Sequence, residues 1–325
     1  APGSRVSLRR DARGIAGEMS LDLHNEGVRT QLAVVIDYAA ASGKINAGLN
    51  FEDVNPALFA RVSPELAVFG GIHVALRGTM TLAMRTDGVI EVIGFDLDGG
   101  PGRLAIPAPL AQDLAVEKVE LRGRFEGEAR RLDFDHLLVD FGRDGSFHLP
   151  APTDYDMPLR SLTARGRLLT DTNRLEIAAL TLDLHGPKAE LGIVVENLGG
   201  PTAVDVQGTL HNLPVDEFER YWPRAWGTDA REWSVAHLSE GVAKRVDAAV
   251  KFNLDGKDVR VESLNGTMEI ADITVDYLPP MPKAEGAGGT AKFDSKTFDI
   301  ELTGARSKGL DVRKGRILFT GLDAI

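Results

Sequence analysis

The 325-residue chain carries 37 basic and 48 acidic side chains, and charges of both signs are interleaved to give a net charge of −11. Nucleic-acid binding needs a basic stripe that neutralises phosphates, so this charge pattern argues against a nucleic-acid partner. The absence of cysteine excludes disulfides, thiolate metal sites and cysteine nucleophiles. The longest apolar runs, such as residues 32–36, are far shorter than the roughly 20 residues of a membrane-spanning helix.

Apolar and polar residues alternate along most of the chain, a pattern typical of strands that bury one face. In residues 31–38 the even positions are large and apolar, and the odd positions are mostly small or polar. The same alternation recurs at residues 45–51, 189–195, 246–254 and 298–302. Between such segments, the dipeptides Asp87-Gly88, Asp144-Gly145 and Asp255-Gly256 predict tight antiparallel hairpins, because these residues tolerate positive φ.

A longer repeat, apolar-x-apolar-x-Gly-x-apolar, places glycines at Gly78, Gly123, Gly166 and Gly208, which are 45, 43 and 42 residues apart. Spacing this regular is typical of stacked repeats. Each glycine is in phase with the apolar face, where the strand can bulge or bend. Such bends either close an ordinary sandwich or barrel, or curve a long sheet into a trough with space in its floor. We predict a mainly β fold: a long, curved, repetitive antiparallel sheet, groove-like, with short helical inserts.

Two segments near residues 53–71 and 213–241 break the strand pattern and predict the helical inserts. In the second insert, Pro214 suits a first helical turn and Gly241 suits a helix C-cap. The two inserts predict two β-groove repeat segments, residues 1–150 and 151–325, the second with a helical hairpin.

Aromatic residues concentrate in the second insert, which contains all three tryptophans of the chain. We expect them to pack over the end of the apolar sheet face, because bulky aromatic side chains usually provide packing mass. Contact with a membrane interface or a partner is the alternative, and it would need the rings to be exposed. The residues that define this insert are Tyr221, Trp222, Pro223, Trp233 and Gly241.

No motif points to a metal or a cofactor. Seven histidines are scattered without the spacing that converges on a zinc ion. The glycines of residues 100–105 superficially match a dinucleotide-binding loop, but Pro101 and Pro107 prevent the helix that should follow. We therefore expect neither a bound metal nor a cofactor.

Paired carboxylates are the remaining signal that could indicate catalysis, because glycosidases use two acids at short separation. Asp133 with Asp135, and Asp154 with Asp156, are such pairs. In residues 132–135, however, the acids alternate with apolar residues, which is typical of a solvated outer face. We expect no catalytic residues and no enzyme; a polysaccharide-active β-solenoid would require Asp133 and Asp135 to converge in a cleft.

A continuous apolar face could line a path for a lipid acyl chain. A strand of about seven residues spans roughly 23 Å, more than the roughly 15 Å of hydrocarbon in one membrane leaflet. Exposing an acyl chain of about 16 carbons to water would cost on the order of 13 kcal/mol, which a sustained apolar lining offsets. Core packing is the alternative role for each lining residue. The candidate lining residues are Val34, Ile36, Leu49, Val74, Leu76, Met80, Leu121, Phe125, Leu191, Ile193, Val250 and Phe252.

The second insert also carries a family resemblance. Its residues Leu213-Pro214-Val215-Asp216, Tyr221-Trp222-Pro223, Arg231-Glu232-Trp233 and Leu238-Ser239-Glu240-Gly241 are similar to the central region of YhdP-type members of the AsmA-like superfamily. There a proline-tryptophan helical hairpin interrupts a very long β sheet. The motif-level match covers about residues 205–285, and residues 272–279 contribute to it.

The resemblance implies a central fragment of a Gram-negative envelope protein, anchored in the inner membrane and extending through the periplasm. Such proteins are similar to bridge-like lipid transfer proteins, whose sheet carries phospholipids between membranes. It implies phospholipid acyl chains as partners, and contact with the inner and outer membranes through parts absent from this chain. A scaffold or chaperone-like element of outer-membrane biogenesis, pairing client strands at its edges, is the alternative.

Overall fold

The computed structural model describes residues 4–25, 28–61, 64–106, 111–149, 153–222, 224, 228–255, 258–277 and 280–321. Within these ranges the protein is mainly β. Twenty strands belong to a large antiparallel sheet and two more form a separate hairpin. The predicted fold class is confirmed. Each helix within the described ranges is too short or too polar to span a bilayer.

The first eleven strands are β1 (Arg5–Asp11), β2 (Gly14–Asn25), β3 (Val28–Ala39), β4 (Lys44–Val54), β5 (Ile72–Arg85), β6 (Ile90–Ile106), β7 (Gln112–Val116), β8 (Lys118–Glu126), β9 (Arg131–Asp140), β10 (Ser146–Leu149) and β11 (Tyr155–Pro158). The remaining strands are β12 (Ser161–Leu169), β13 (Arg174–Asp183), β14 (Lys188–Glu196), β15 (Thr202–Pro214), β16 (Leu238–Ser239), β17 (Val242–Asp255), β18 (Asp258–Val275), β19 (Ala284–Asp294), β20 (Thr297–Ser307), β21 (Leu310–Val312) and β22 (Gly315–Thr320).

Helices occur at the two predicted inserts. The first insert consists of two 3-10 helices, Pro56–Arg61 and Pro64–Gly71. The second consists of a short 3-10 helix, Val215–Glu217, followed by α1 (Phe218–Tyr221) and α2 (Thr228–His237). Both insert predictions are confirmed in position and type, although Pro223 and Trp226 lie outside the described residues.

Gly241 does not cap a helix, contrary to the expectation. The chain leaves α2 at His237 and passes through β16 before it reaches Gly241. There it turns into β17 with φ of +68°, and a Cβ at this position would lie 2.5 Å from the Ala271 carbonyl oxygen. The turn requires glycine because both the left-handed backbone and the close approach to β18 exclude a side chain.

The chain divides into two compact units, of which unit 1 comprises Ala1–Gly142 and Ser161–Arg174. Its strands pair in the order β1-β2-β3-β4-β5-β6-β8-β9-β12, and β7 pairs with the end of β6. The predicted turn at Asp87-Gly88 joins β5 to β6, with Gly88 at φ of +88°. Residues 100–105 belong to β6, so the glycines there form part of a strand.

Unit 2 comprises Arg143–Arg160 and Leu175–Ile325. Its strands pair in the order β13-β14-β15-β17-β18-β19-β20-β22, while β16 and β21 extend the pairing of β18 and β20. The β17–β18 hairpin closes with Asp255 opposite Asp258 as predicted, and Gly256 lies outside the described residues. Asp144-Gly145 is not a hairpin turn, because it precedes β10 and the hairpin partner of β10 is β11.

The repeat glycines differ in their effect on strand pairing. The register shifts beside Gly123 in the β8–β9 pair and beside Gly166 in the β12–β9 pair. Gly78 borders the shift between β4 and β5. Gly208, in contrast, lies in continuous register with both of its neighbouring strands. Three of the four glycines therefore accompany β-bulges, which bend a strand and increase its twist.

The space above the repeat glycines is filled rather than open. A Cβ on Gly123 would lie 2.1 Å from the Asp133 carbonyl oxygen and 2.9 Å from the Phe95 ring. A Cβ on Gly208 would lie 2.4 Å from a methyl carbon of Leu191. The expectation that these glycines leave space in the floor of the sheet is wrong at these two positions, because a large side chain from the adjacent strand occupies it.

Candidate functional site

Apolar side chains of unit 1 line up in rows that run across its strands. Residues paired between neighbouring antiparallel strands project from the same face, so the register defines each row. Three adjacent rows, here called the unit 1 rows, cross eight or nine of the nine strands of the main order without a charged residue. The first contains Val6, Met19, Val34, Leu49, Met80, Phe95, Gly123, Phe134 and Gly166. The second contains Leu8, Gly17, Ile36, Ala47, Leu82, Ile93, Phe125, Leu132 and Leu168.

The third of the unit 1 rows begins on β2 and shares the same face. It contains Leu21, Leu32, Phe51, Gly78, Leu97, Leu121, Leu137 and Ala164. It therefore crosses eight of the nine strands. With strands about 4.8 Å apart, nine strands give a row about 38 Å long. The register thus brings the predicted lining residues of unit 1 onto one apolar face.

The apolar face of unit 1 is covered unevenly. Val74 and Leu76 are buried, with 0% and 9% of their surface exposed, near the first insert, whose 3-10 helices contact β5 and β6. These two predicted lining residues are core residues. Ile36 is 43% exposed, and the other predicted lining residues of unit 1 are half-buried: Val34, Leu49, Met80, Leu121 and Phe125.

Partial exposure of this face follows from what packs on it. In the described part of unit 1, the substantial contacts between elements are those of neighbouring strands and those of the two 3-10 helices with each other, β5 and β6. A β-sandwich would instead bury these side chains against a second sheet. Away from the insert, the face therefore remains accessible to an apolar ligand.

The opposite face of unit 1 is polar and ion-paired. Arg122 bonds Asp96 at 2.9 Å, Arg77 bonds Asp98 at 3.0 Å, and Asp133 bonds Arg131 at 2.9 Å. The Arg122–Asp96 and Arg77–Asp98 pairs are largely exposed, so each contributes at most about 1 kcal/mol to stability, whereas the Arg131–Asp133 pair is partly buried. They keep this face solvated, which distinguishes it from the face that carries the rows.

An open depression of about 820 Å³ lies on this polar face, lined mostly by polar side chains of β2 to β6 together with Arg122. Asp133 and Asp135 are not part of it. Asp133 is held by arginine, and Asp135 is exposed on β9. The structure does not bring this pair into the cleft that a glycosidase would need.

Unit 2 carries comparable rows across its eight main strands, here called the unit 2 rows. One contains Leu180, Leu191, Gly208, Ala248, Gly266, Phe293, Phe298 and Phe319. The next contains Leu182, Ala189, Leu210, Val246, Met268, Ala291, Ile300 and Ile317. Ile193 pairs with Val206, which pairs in turn with Val250, and Val204 pairs with Phe252. The predicted lining residues Leu191, Ile193, Val250 and Phe252 are half-buried.

The second insert seals one end of the unit 2 face. Val215 and Phe218 are buried in a cluster with alanines and isoleucine of β17 to β20, and Trp222 packs against this cluster. The Phe218 and Trp222 rings contact each other edge to face, with centroids 6.2 Å apart. Tyr221 donates its hydroxyl hydrogen to the Leu184 carbonyl oxygen at 2.8 Å. Trp222 therefore has the packing role expected from the sequence.

Arg231 fixes α2 against α1. Its side chain is almost fully buried and donates hydrogen bonds to the carbonyl oxygens of Trp222, at 2.7 Å, and Glu219, at 3.1 Å. These bonds satisfy the carbonyl groups left free where α1 ends. The sequence marked Arg231 only as part of a family motif, because nothing in the local pattern shows that its charge is buried.

Trp233 projects from α2 onto the unit 2 rows. Its ring lies 5.7 Å from the Phe319 ring, measured between centroids, and stacks on His237 at 5.1 Å. Phe319 in turn contacts Phe298 at 6.5 Å, and Phe298 stacks on Phe293 at 5.9 Å. Helix α2 therefore lies over the apolar face, with an aromatic cluster beneath it.

Comparison of the chain with protein-family models, curated proteins and solved structures finds no match. In the described ranges, histidine, aspartate and glutamate form no group of three or more that could hold a metal ion. The two apolar faces can therefore bind a ligand through hydrophobic contacts.

Proposed function

We propose that the apolar rows bind phospholipid acyl chains and that the protein conducts phospholipids along them without chemical change. The observation that carries this proposal is the continuity of the rows: three of them cross eight or nine strands of unit 1 without a charge, and they stay partly exposed. A single hydrophobic core would need no such continuity. A row that an acyl chain follows must have it, because a charged interruption would break the apolar contact.

Sliding along the rows keeps the cost of movement small. An acyl chain of about 16 carbons gains on the order of 13 kcal/mol when its methylenes leave water. A step from one strand to the next, about 4.8 Å, replaces one set of aliphatic contacts by a similar set. The chain thus moves without returning to water, and the headgroup stays hydrated at the exposed side of the face.

The proposal includes the cellular setting that the second insert suggests. The described helices of the second insert, α1 and α2, interrupt an antiparallel sheet, and this supports the resemblance to YhdP-type members of the AsmA-like superfamily. On this proposal the chain is a non-enzymatic, periplasmic part of an inner-membrane-anchored envelope protein, with phospholipids as its ligands. The support is the insert residues together with the sheet.

A second candidate function is strand pairing with client proteins of the outer membrane. All seven residues of β1 are exposed, including Val6 and Leu8 at 69% and 74%. Within the described residues, β1 pairs only with β2. An edge strand with exposed apolar side chains can act as a template for strand addition. This role predicts capture of protein, rather than lipid, by β1.

Adjacent valines of β3 provide a matched test. Val34 belongs to the unit 1 rows, whereas Val35 projects from the opposite face and is 52% exposed. A photo-crosslinking residue at Val34, or at Val250 in unit 2, should capture phospholipid in cells. The same residue at Val35 should capture none, although it is the more exposed position.

Equal capture at Val34 and Val35 would show non-specific contact and would overturn the proposal. So would the absence of phospholipid from native mass spectra of the purified protein combined with no capture at Val34 and Val250. Protein adducts from a crosslinker at Leu8, without lipid adducts elsewhere, would favour the strand-pairing function.

A further inference from the structure

Helix α2 contacts the unit 2 rows through Trp233, and it is held on both sides of this residue. On the N-terminal side, Arg231 bonds the backbone of α1. On the C-terminal side, the Asp276 amide donates to the His237 carbonyl oxygen at 2.8 Å, and β16 pairs with the end of β18. The backbone of α2 therefore has fixed attachments, and the Trp233 side chain is the part that reaches the row.

The contact between Trp233 and Phe319 leaves no room for an acyl chain. A hydrocarbon chain lying between two rings must contact both, at about 3.5–4.0 Å per contact, so the facing ring atoms must be about 7–8 Å apart. The ring centroids are only 5.7 Å apart, at an interplanar angle of 58°. The two rings touch each other, and an acyl chain can pass between them only if they separate.

We propose that Trp233 and Phe319 form an aromatic gate for acyl chains on the unit 2 face. This inference rests on the proposed function, since it assigns a gate to the same lipid-binding face. Because Arg231 and His237 anchor the helix, the gate opens by displacement of the Trp233 ring from Phe319 rather than by release of α2. The stacking of Trp233 on His237 holds the closed position.

The gate accounts for an aromatic cluster at this place. Along the row, Phe293, Phe298 and Phe319 follow one another on β19, β20 and β22. Ring-to-ring contacts add only a modest stabilisation beyond burial, and contacts of a few acyl-chain methylenes with the rings can replace it. The gate is therefore closed without lipid and opens when a chain enters.

The test uses the rate at which lipid reaches the row beside the gate. A photo-crosslinking residue at Ile300, which pairs with Ile317 on the neighbouring row, reports arrival at unit 2. The same residue at Val34 reports binding to unit 1. Purified protein is mixed with vesicles of phosphatidylethanolamine and phosphatidylglycerol that contain a labelled phospholipid, and adducts are measured against time.

Trp233→Ala and Phe319→Ala should each raise the initial rate of capture at Ile300 several-fold and leave the rate at Val34 unchanged. Val235→Ala is the control, because Val235 lies on the same helix and is 37% exposed. Joining Trp233→Cys to Phe319→Cys with a short bifunctional thiol reagent should lower capture at Ile300. The chain has no other cysteine, so the reagent acts only there.

The outcomes separate the two proposals. Unchanged capture at Ile300 in both alanine variants and in the joined protein, with normal capture at Val34, overturns the gate and leaves the conduit standing. No capture at Val34 or Ile300 in any protein overturns the conduit. Trp233→Phe, which keeps a ring, should give a rate of capture at Ile300 between those of wild type and Trp233→Ala. A urea unfolding curve of each variant verifies that unit 2 is folded.

Discussion

Replacing Gly208 by alanine should destabilise unit 2, although alanine is intrinsically the better strand residue. The new Cβ would lie 2.3 Å from the Glu190 carbonyl oxygen and 2.4 Å from the Leu191 methyl carbon, about 1 Å closer than a normal contact. The oxygen belongs to the backbone of β14, so relief requires the strands to move apart. Overpacking of this kind costs about 1–3 kcal/mol.

Gly192 provides the matched control on the adjacent strand. It lies on β14 opposite Gln207, on the polar face, and a Cβ there would meet nothing closer than 3.7 Å. Gly192→Ala should therefore be neutral or stabilising by up to about 1 kcal/mol, because it removes the entropy cost of glycine. Both variants gain this term, so the difference between their unfolding free energies isolates the clash.

Equilibrium urea unfolding followed by tryptophan fluorescence measures this difference. All three tryptophans lie between residues 222 and 233, within unit 2, so the signal reports on the unit that contains both glycines. Gly208→Ala should unfold at lower urea than Gly192→Ala with a similar dependence on urea concentration. Equal unfolding free energies would refute the close packing of β14 against β15 at Gly208.

Two tyrosines and one aspartate give further expectations. Tyr155→Phe should leave the free energy of unfolding unchanged or slightly raised, because within the described residues the buried hydroxyl of Tyr155 has no hydrogen-bond partner. Tyr221→Phe removes the hydrogen bond to Leu184 and should lower the free energy of unfolding by about 0.5–1.5 kcal/mol. Thermal unfolding compares the two, and an equal loss would contradict the assignment. Hydrogen bonds from Arg245, and to a smaller extent from Thr209, lower the pKa of Asp247 below its ordinary value. The stability that ionised Asp247 contributes is therefore fully present at pH values above the ordinary pKa. This stability is lost as the pH falls through the lowered pKa. Asp247→Asn should therefore destabilise the protein at pH 7, and this loss should shrink as the pH falls below the ordinary value of an aspartate. A loss that is independent of pH would refute the ion pair.

The two tyrosines are alike in burial and differ in hydrogen bonding. Burial raises the pKa of Tyr155 and of Tyr221, because the phenolate loses hydration in both places. Among the residues that the structure describes, only Tyr221 of these two has a carbonyl oxygen to receive its hydrogen. The sequence shows two tyrosines in similar polar-apolar surroundings and gives no means of distinguishing them.

Local patterns predicted the strands, several turns and both inserts. Alternation in residues 31–38 and 246–254 lies within β3 and β17, and the Asp87-Gly88 turn joins β5 to β6. These features depend on the two-residue period of a strand and on the φ preferences of a few residues, which neighbouring residues determine. The same reasoning failed at Gly241, where a short strand follows α2 and places the turn later than a cap would be.

Tertiary structure decided which apolar residues stay accessible and which do not. Val74 and Val34 follow the same alternation, yet Val74 is buried near the 3-10 helices and Val34 remains half-buried on the face. It also decided the contact of Trp233 with Phe319, which lies 86 residues further along the chain. The sequence by itself determined that one face of each strand is apolar, because alternation is local. Register and coverage depend on distant segments, so only the folded chain shows where the rows run and where α2 contacts them.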